Sequence, residues 1–432
     1  MELTTDMWIG IAGFIILLIL VFMRVWIGFA LIIVGFVGLW VLNDLSYAGN
    51  VISNEPFTQA TLYSLTCMPL FCIMGSIICD TGMGENLYNW AKKLIGHVRG
   101  GLGMATVMAC GVFAAICGNS QVTAMTLGKV SYPEMRKAGY TDTAAVGGIA
   151  AGGGIGIMIP PSVGFIVYGL LTEESVGKLF MAGIVPGILQ VVIFCAVYFI
   201  IGRLRPNAVP ATPKATWRER GAATTKIWSI VLLMVLMLGG IYGGFFTATE
   251  AGAVGAVGAA LIALFTRTMT KDVMYRALVD GVRMTATVMI LLVGAKVFLR
   301  FITVSNLTNF ITELITGLDV SRYVILLVVI LIYLVLGCVF DIMAGIMLTV
   351  PFLYPIMTSL GFDPIWFGVF VVAMMELGEI TPPIGLTCFI LADTCQMPVH
   401  RVFRGVLPFI CASLFFIFLL CVFPQICTIT TT

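Results

Sequence analysis

The chain has 432 residues, of which 60% are apolar and 10% are charged, and its mean hydropathy is +1.09. A soluble domain carries charges at about 25% of its residues, so this composition excludes an ordinary soluble protein and predicts an all-α polytopic membrane protein in contact with membrane lipid. The net charge of +2 gives no indication of a nucleic-acid partner. The chain has twelve cysteines, none in a CxxC pair, and only two histidines. Metal centres and disulfides are therefore poor interpretations, and the cysteines are interpreted as small packing residues.

Three membrane spans are predicted at the start of the chain, at about residues 8–23, 26–43 and 62–79. Arg24 joins the first two, whereas the loop 43–60 has acidic residues and no Lys or Arg. Because positive residues remain in the cytoplasm, the loop and the N-terminus are predicted to be periplasmic. A basic amphipathic stretch at about 92–99 is predicted to lie along the inner interface.

The next segments contain two polar interruptions. Residues 101–140 are interrupted at Gly118-Asn119-Ser120 and have basic residues at the far end, which predicts a re-entrant helical hairpin open to the cytoplasm. A broken span follows at about 143–171, with its break near 152–162, and then a span at about 179–201. This first repeat, 1–205, makes five crossings. After the linker 206–226, which is predicted to be cytoplasmic, the second half should therefore be inverted.

The second half, 227–432, follows the same plan at an offset of 222 residues. Spans are predicted near 227–244, 250–266 and 280–301, an interfacial stretch near 306–317, a hairpin at about 322–358 broken at Phe340-Asp341, and a broken span at about 364–392. Identities at the common offset include Gly156 with Gly378 and Pro160-Pro161 with Pro382-Pro383. In this topology 19 of 23 Lys and Arg residues lie on the cytoplasmic side.

The interruptions are also the candidate functional site. Unpaired backbone groups in hydrocarbon cost several kcal/mol each, so protein, water or an ion must satisfy them. Freed carbonyls, hydroxyls and a carboxylate such as Asp341 are hard ligands that suit Na⁺, and helix N-termini suit the carboxylate of a substrate. The alternative is that the breaks only kink helices for packing. No nucleophile–base pair, nucleotide-binding loop or dinucleotide motif is present, so the sequence predicts neither an enzyme nor ATP-driven transport.

Several residues remain open to two interpretations. Glu376 and Glu379 lie near a break and either contribute to a site or face solvent or an ion pair. Lys296 and Arg300 share a helix face, where they either attract an anion or extend outward to the membrane surface. The glycine string at 252–258 is read as a packing surface.

The motifs GNSQVTAMTLGKVSYPEMRKAGY, AAGGGIGIMIPPSVGFIVYG and GEITPPIGLTCFIL resemble the large membrane subunit of the tripartite ATP-independent periplasmic (TRAP) transporters, over nearly the full chain. The resemblance implies a bacterial inner-membrane subunit that works by an elevator mechanism driven by a sodium gradient. It implies two partners, a small four-span membrane subunit and a periplasmic substrate-binding protein, and a small organic acid as substrate.

The resemblance also implies two sodium sites and no cofactor other than Na⁺ as the coupling ion. The first site is expected at Gly118, Ser120, Gly156, Ile159 and Pro161. The second is expected at Asp341, Gly378, Thr381 and Pro383. Asn119 and Ser162 are the candidate substrate contacts. Asp341 aligns with Asn119, so the two ion sites need not be equivalent.

The sequence thus predicts the large permease subunit of a sodium-coupled importer with two inverted repeats. One alternative is a self-sufficient carrier of organic anions, coupled to Na⁺ or H⁺, that needs no binding protein. Another is a membrane scaffold or receptor subunit that transports nothing, for which the polar residues at the breaks would have no purpose.

Overall fold

The computed structural model describes residues 4–317 and 320–429. Over these ranges the regular structure is helical, without strands. Eight of the described helices are long and apolar enough to cross a membrane. The predicted all-α polytopic class is therefore confirmed.

The described chain begins with a series of α-helices, and the first two expose many large apolar side chains. The series is α1 (Thr5–Phe22), α2 (Ile27–Leu42), α3 (Leu45–Ala60), α4 (Cys67–Asp80), which follows a short 3₁₀ turn at Tyr63–Thr66, and α5 (Met83–Ile95). The amphipathic stretch predicted near 92–99 corresponds to α5, which begins nine residues earlier and ends at Ile95.

The prediction of a loop at 43–60 is wrong, because α3 occupies this segment. Asp44 caps the helix: its Oδ1 accepts a hydrogen bond from the backbone N–H of Tyr47 at 2.6 Å. The polar side chains that suggested a loop bond back to the helix, since the Ser53 hydroxyl donates to the Gly49 carbonyl at 2.7 Å. Charge indicated a side of the membrane for this segment, but it carried no information on its secondary structure.

The first hairpin and broken helix lie where the sequence predicted them. The hairpin consists of α6 (Gly101–Cys117) and α7 (Ser120–Lys137), with Gly118 in the left-handed region at φ 62°. Then come α8 (Asp142–Gly154), a 3₁₀ turn at Ile155–Ile157, α9 (Val163–Thr172) and the long α10 (Val176–Leu204).

The linker 206–226 is not a simple loop. Its first part packs under the first hairpin, where the Val209 carbonyl accepts from the Gly100 N–H at 3.0 Å. Its second part forms α11 (Trp217–Lys226). The second half continues with α12 (Trp228–Tyr242), α13 (Ala248–Phe265), α14 (Lys271–Val304) and α15 (Leu307–Thr316), the last at the predicted interfacial stretch.

The second hairpin and broken helix repeat the first pair closely. The elements are α16 (Arg322–Val339), α17 (Ile342–Ser359), α18 (Pro364–Ile380), α19 (Leu386–Thr394), α20 (Val399–Val422) and α21 (Gln425–Thr428). Helices α7 and α17 begin 222 residues apart (342 − 120), and so do α8 and α18 (364 − 142). The bonds Pro160-Pro161 and Pro382-Pro383 are both cis. The common offset of the helix starts supports a repeat, whereas its inversion across the membrane stays a prediction.

The described helices include two groups, each defined by helices that pack on one another. In one group α14 packs along α2 and α4, and α13 packs on α4. The glycine string of α13 lies in this interface, where a Cβ on Gly255 would meet the sulfur of Met74 at 2.6 Å. The predicted packing role of the string is therefore confirmed.

The second group contains both hairpins and both broken helices, interleaved across the two halves. Helix α8 packs on α20, α7 on α19 and α9 on α17. At Gly147 and Gly405 the α8–α20 contact leaves no room for side chains, since a Cβ on Gly147 would collide with the Gly405 backbone. The two halves therefore share one core around the breaks.

Candidate functional site

A small cavity of about 30 Å³, lined by both polar and apolar residues, lies between the tips of the two hairpins. It is lined by Gly118, Asn119, Ser120, Gln121, Ile157, Val163, Gly164, Asp341, Ile342, Met343 and Glu379. Both tips and both broken helices thus contribute residues to one site. The sequence predicted two separate ion sites, and of their residues Gly118, Ser120 and Asp341 line this shared cavity.

Three helices begin at this cavity. The first turns of α7, α9 and α17 supply Ser120, Val163 and Ile342 to its lining. Helix N-termini present free N–H groups and the positive end of the helix dipole, so they attract an anion. The converging N-termini are the feature that suits a substrate carboxylate.

The first predicted ion site is brought together around the tip of the first hairpin. The Val163 N–H donates to the Gly118 carbonyl at 3.4 Å. A Cβ on Gly156 would lie 2.8 Å from the Ser120 Cα, and a Cβ on Gly118 would collide with the Pro161 carbonyl. Only glycine permits this approach of the two backbones.

Ile159 belongs to the same break, but its side chain faces away from the tip. It packs towards α6 and α10, where a Cβ on Gly187 would meet its Cγ1 at 2.5 Å. Its backbone carbonyl is therefore the only part of Ile159 that can face an ion. Proline at 160 has no N–H to donate to the carbonyl four residues earlier, at Gly156, so that oxygen is also available.

The second predicted site is more open. Gly378 lies so close to Gly337 of α16 that no side chain fits between them. The Thr381 hydroxyl donates to the Leu377 carbonyl at 2.6 Å. Pro383 is exposed, whereas its counterpart Pro161 is buried. The structure therefore surrounds the second break less completely than the first.

Asp341 lies at the second tip rather than at the second break. It is half-buried, lines the cavity and is the N-cap residue of α17. A carboxylate at a helix N-terminus is favoured by the helix dipole. Asp341 therefore faces the first tip across the cavity, with Gly378 and Thr381 outside the cavity lining.

The two candidate substrate contacts differ in position. Asn119 lines the cavity, and its Oδ1 accepts from the Val122 N–H at 3.1 Å, which caps α7. Ser162 is fully buried outside the lining, and its Oγ accepts from the Phe165 N–H at 3.3 Å, which caps α9. Asn119 is thus placed to meet a ligand, whereas Ser162 shapes the start of α9.

Glu379 is the residue at the site whose role the sequence left open. Its side chain is 1% exposed, so the interpretation that it faces solvent is wrong. Its Oε2 accepts hydrogen bonds from the Ser120 hydroxyl at 2.6 Å and the Thr387 hydroxyl at 3.1 Å. Glu379 therefore ties the second broken helix to the first hairpin tip.

Glu376, one turn earlier, is also buried, at 1% exposure. Its Oε1 accepts from Gln190 Nε2 of α10 at 2.7 Å. Among the described residues neither glutamate forms an ion pair, so that interpretation fails for both. The signal for both was an acidic residue inside an apolar helix, which marks a functional position by default.

The donor set around the cavity fits Na⁺ better than a transition metal. Within the described ranges no group of three or more His, Cys, Asp or Glu side chains is arranged to hold a metal ion. The twelve cysteines are free thiols. Backbone carbonyls at the breaks, with the Ser120 hydroxyl and the Asp341 carboxylate nearby, are the hard oxygens that an alkali cation accepts.

A helical membrane protein whose two hairpin tips close on one polar cavity has the architecture of a membrane transporter. The YdaH transporter of Alcanivorax borkumensis, known from a crystal structure, shares this fold with a TM-score of 0.66 at 14% identity, over 89% of this chain and 90% of that chain. The chain matches the family described as "Tripartite ATP-independent periplasmic transporter, DctM component" over residues 14–426.

Two relatives agree with that match. The C4-dicarboxylate TRAP transporter large permease protein DctM of Pseudomonas aeruginosa is 36% identical over 372 residues, which cover 86% of each chain. The sialic acid TRAP transporter large permease protein SiaM of Vibrio cholerae is 31% identical over 400 residues, which cover 92% of this chain and 93% of that one. The protein therefore belongs to the TRAP transporters, as a DctM component. This family consists of transporter permeases, which confirms that the chain is not an enzyme.

Proposed function

We propose that the protein is the large permease subunit of a sodium-coupled importer of a small organic acid, which it moves by an elevator motion. The cavity between the hairpin tips carries this proposal. It combines three helix N-termini, which suit an anion, with carbonyl, hydroxyl and carboxylate oxygens, which suit Na⁺. Relatives that are named for C4-dicarboxylate and sialic acid support a substrate with a carboxylate.

The two packing groups support an elevator motion, which needs one static part and one moving part. The group of α2, α4, α13 and α14 would be the static scaffold, and the group that contains the hairpins and broken helices would move. In this motion the cavity travels as a unit, since its walls all belong to the second group. The cation neutralises the carboxylates near the cavity while they cross the membrane.

The proposal places the protein in the bacterial inner membrane with its N-terminus in the periplasm, as the charge distribution predicts. It includes two partners, a small four-span membrane subunit and a periplasmic substrate-binding protein that delivers the acid. TRAP membership supports both partners.

Reconstitution tests this function. Proteoliposomes with both membrane subunits, the binding protein and a panel of organic acids should accumulate one acid when a sodium gradient points inward. Omission of either the gradient or the binding protein should abolish the accumulation. Uptake by this chain alone, at a rate unchanged by the other components, would instead identify a self-sufficient carrier.

A further inference from the structure

A polar groove on the scaffold lies away from the cavity between the hairpin tips, on the side predicted to be periplasmic. It has a volume of about 440 Å³. Helices α3 and α14 line it with Tyr47, Asn50, Val51, Asn54, Glu55, Lys296, Leu299, Arg300 and Thr303. Its lining combines two cations with two amide side chains and the carboxylate of Glu55.

Lys296 and Arg300 are one turn apart on α14, so their charges repel each other. Arg300 Nε donates to the neutral hydroxyl of Tyr47 at 3.0 Å. Among the described residues, Arg300 has no carboxylate within ion-pairing distance. An anion bound between the two cations would relieve their repulsion.

Lys296 is the more buried of the two cations. Its side chain is 18% exposed, and its ion-pair contact is to Glu173 at 3.9 Å, near the outer limit for such a pair. Glu173 is 86% exposed and therefore keeps most of its hydration. A mostly buried lysine side chain whose ion pair among the described residues is this long is poorly compensated, and a closer carboxylate would bind it better.

The groove leads towards the moving group of helices. Lys296 and Glu55 line both the groove and a larger cleft of about 780 Å³. The opposite wall of this cleft is the connection between α9 and α10, which includes Glu173. Lys296 therefore lies where the groove opens into the cleft.

We propose that Lys296 and Arg300 form a carboxylate-binding site, at which the incoming organic acid binds before it reaches the cavity between the hairpin tips. The acid displaces Glu173 from Lys296 and pairs with both cations. The inference rests on the proposed import of an organic acid. The amide groups of Asn50 and Asn54 lie beside this position.

Uptake kinetics test the site in the complete reconstituted system. Lys296→Gln and Arg300→Gln should each raise the substrate concentration for half-maximal uptake about tenfold, since each removes a charged hydrogen-bond donor. The maximal rate and the sodium dependence should not change. Lys178→Gln is the matched control, because Lys178 lines the same cleft but is exposed and outside the groove. An unchanged half-maximal concentration in the first two variants, or an equal rise in the control, would overturn the site.

A charge exchange separates this site from a purely structural ion pair. If the Lys296–Glu173 contact matters only as a link between the two groups of helices, Lys296→Glu combined with Glu173→Lys should restore uptake. The carboxylate site instead requires a cation on α14, so the double variant should remain as impaired as Lys296→Glu alone. Restoration would contradict the proposal.

A chemical probe tests the site without any transport. Thr303→Cys places a thiol in the groove, where a sulfonate-bearing and an ammonium-bearing methanethiosulfonate reagent can be compared in the purified complex. The two cations should increase the ratio of the anionic reagent's reaction rate to that of the cationic reagent. Lys296→Gln should lower this rate ratio about tenfold. If Lys296→Gln leaves the ratio of the two labelling rates unchanged, the site is refuted even if sodium-driven uptake is observed. If the rate ratio changes as expected but no uptake is observed, only the proposed function is refuted.

Discussion

Substitution of Asp341 distinguishes an ion-binding role of this region from a packing role. Its carboxylate lines the cavity, while Thr381 lies at the nearby break with its hydroxyl on the Leu377 carbonyl. If both surround one Na⁺, both supply oxygens to it. If they serve only packing, neither affects the ion.

We expect Asp341→Asn, which keeps the shape but removes the charge, to raise the sodium concentration for half-maximal uptake about tenfold or more, equivalent to a loss of about 1.4 kcal/mol. Thr381→Val should change it in the same direction. Sodium titrations of uptake in proteoliposomes provide the measurement. Unchanged sodium dependence in both variants, at normal expression and assembly, would eliminate the second ion site.

The Ser120–Glu379 hydrogen bond yields a prediction about stability. Ser120→Ala should lower the free energy of unfolding by about 1–3 kcal/mol, because a buried carboxylate oxygen loses one of its donors. Reversible unfolding in mixed micelles measures this loss. A double-mutant cycle with Glu379→Gln should show coupling between the two positions. Additive losses would mean that the bond contributes nothing, and Ser53→Ala on the exposed face of α3 serves as the control.

At the scale of elements, the breaks were predictable and the contacts between them were not. Glycine and proline mark the interruptions locally, so the hairpin tips and both broken helices lie where the sequence predicted them. Ser120 and Glu379 are 259 residues apart, and nothing in either segment indicates the other as its partner. Helix α3 was missed because its polar residues resemble those of a loop, although they bond within the helix.

Helices α16 and α18 approach each other closely at the second break. A Cβ on Gly378 would collide with Gly337, so Gly378→Ala should destabilise the protein by about 1–3 kcal/mol through overpacking. Thermal unfolding of the purified protein measures the effect. Gly49→Ala on α3 has open space around it and should be neutral or slightly stabilising. Equal effects of the two substitutions would contradict the close approach.

At the scale of the whole molecule, the inverted arrangement predicts on which side of the membrane each loop lies. A cysteine at Gly317 should react with a membrane-impermeant thiol reagent added from the periplasm, whereas one at Ala211 should react only from the cytoplasm. The charge asymmetry is the physical reason. Labelling of intact cells and of inverted vesicles makes the comparison, with the exposed Cys411 replaced by Ser in all samples. The reverse pattern at both positions would overturn the topology.

The interleaving of the two halves also has a consequence for biogenesis. Helix α8 emerges from the ribosome long before α20, yet its surface around Gly147 is covered only when α20 arrives, because Gly147 and Gly405 meet there. Until synthesis reaches α20, the nascent chain holds an unfinished core in the bilayer, open to membrane proteases and chaperones. A nonsense mutation just before α20 should therefore lead to degradation of the complete first half as well, despite its intact sequence.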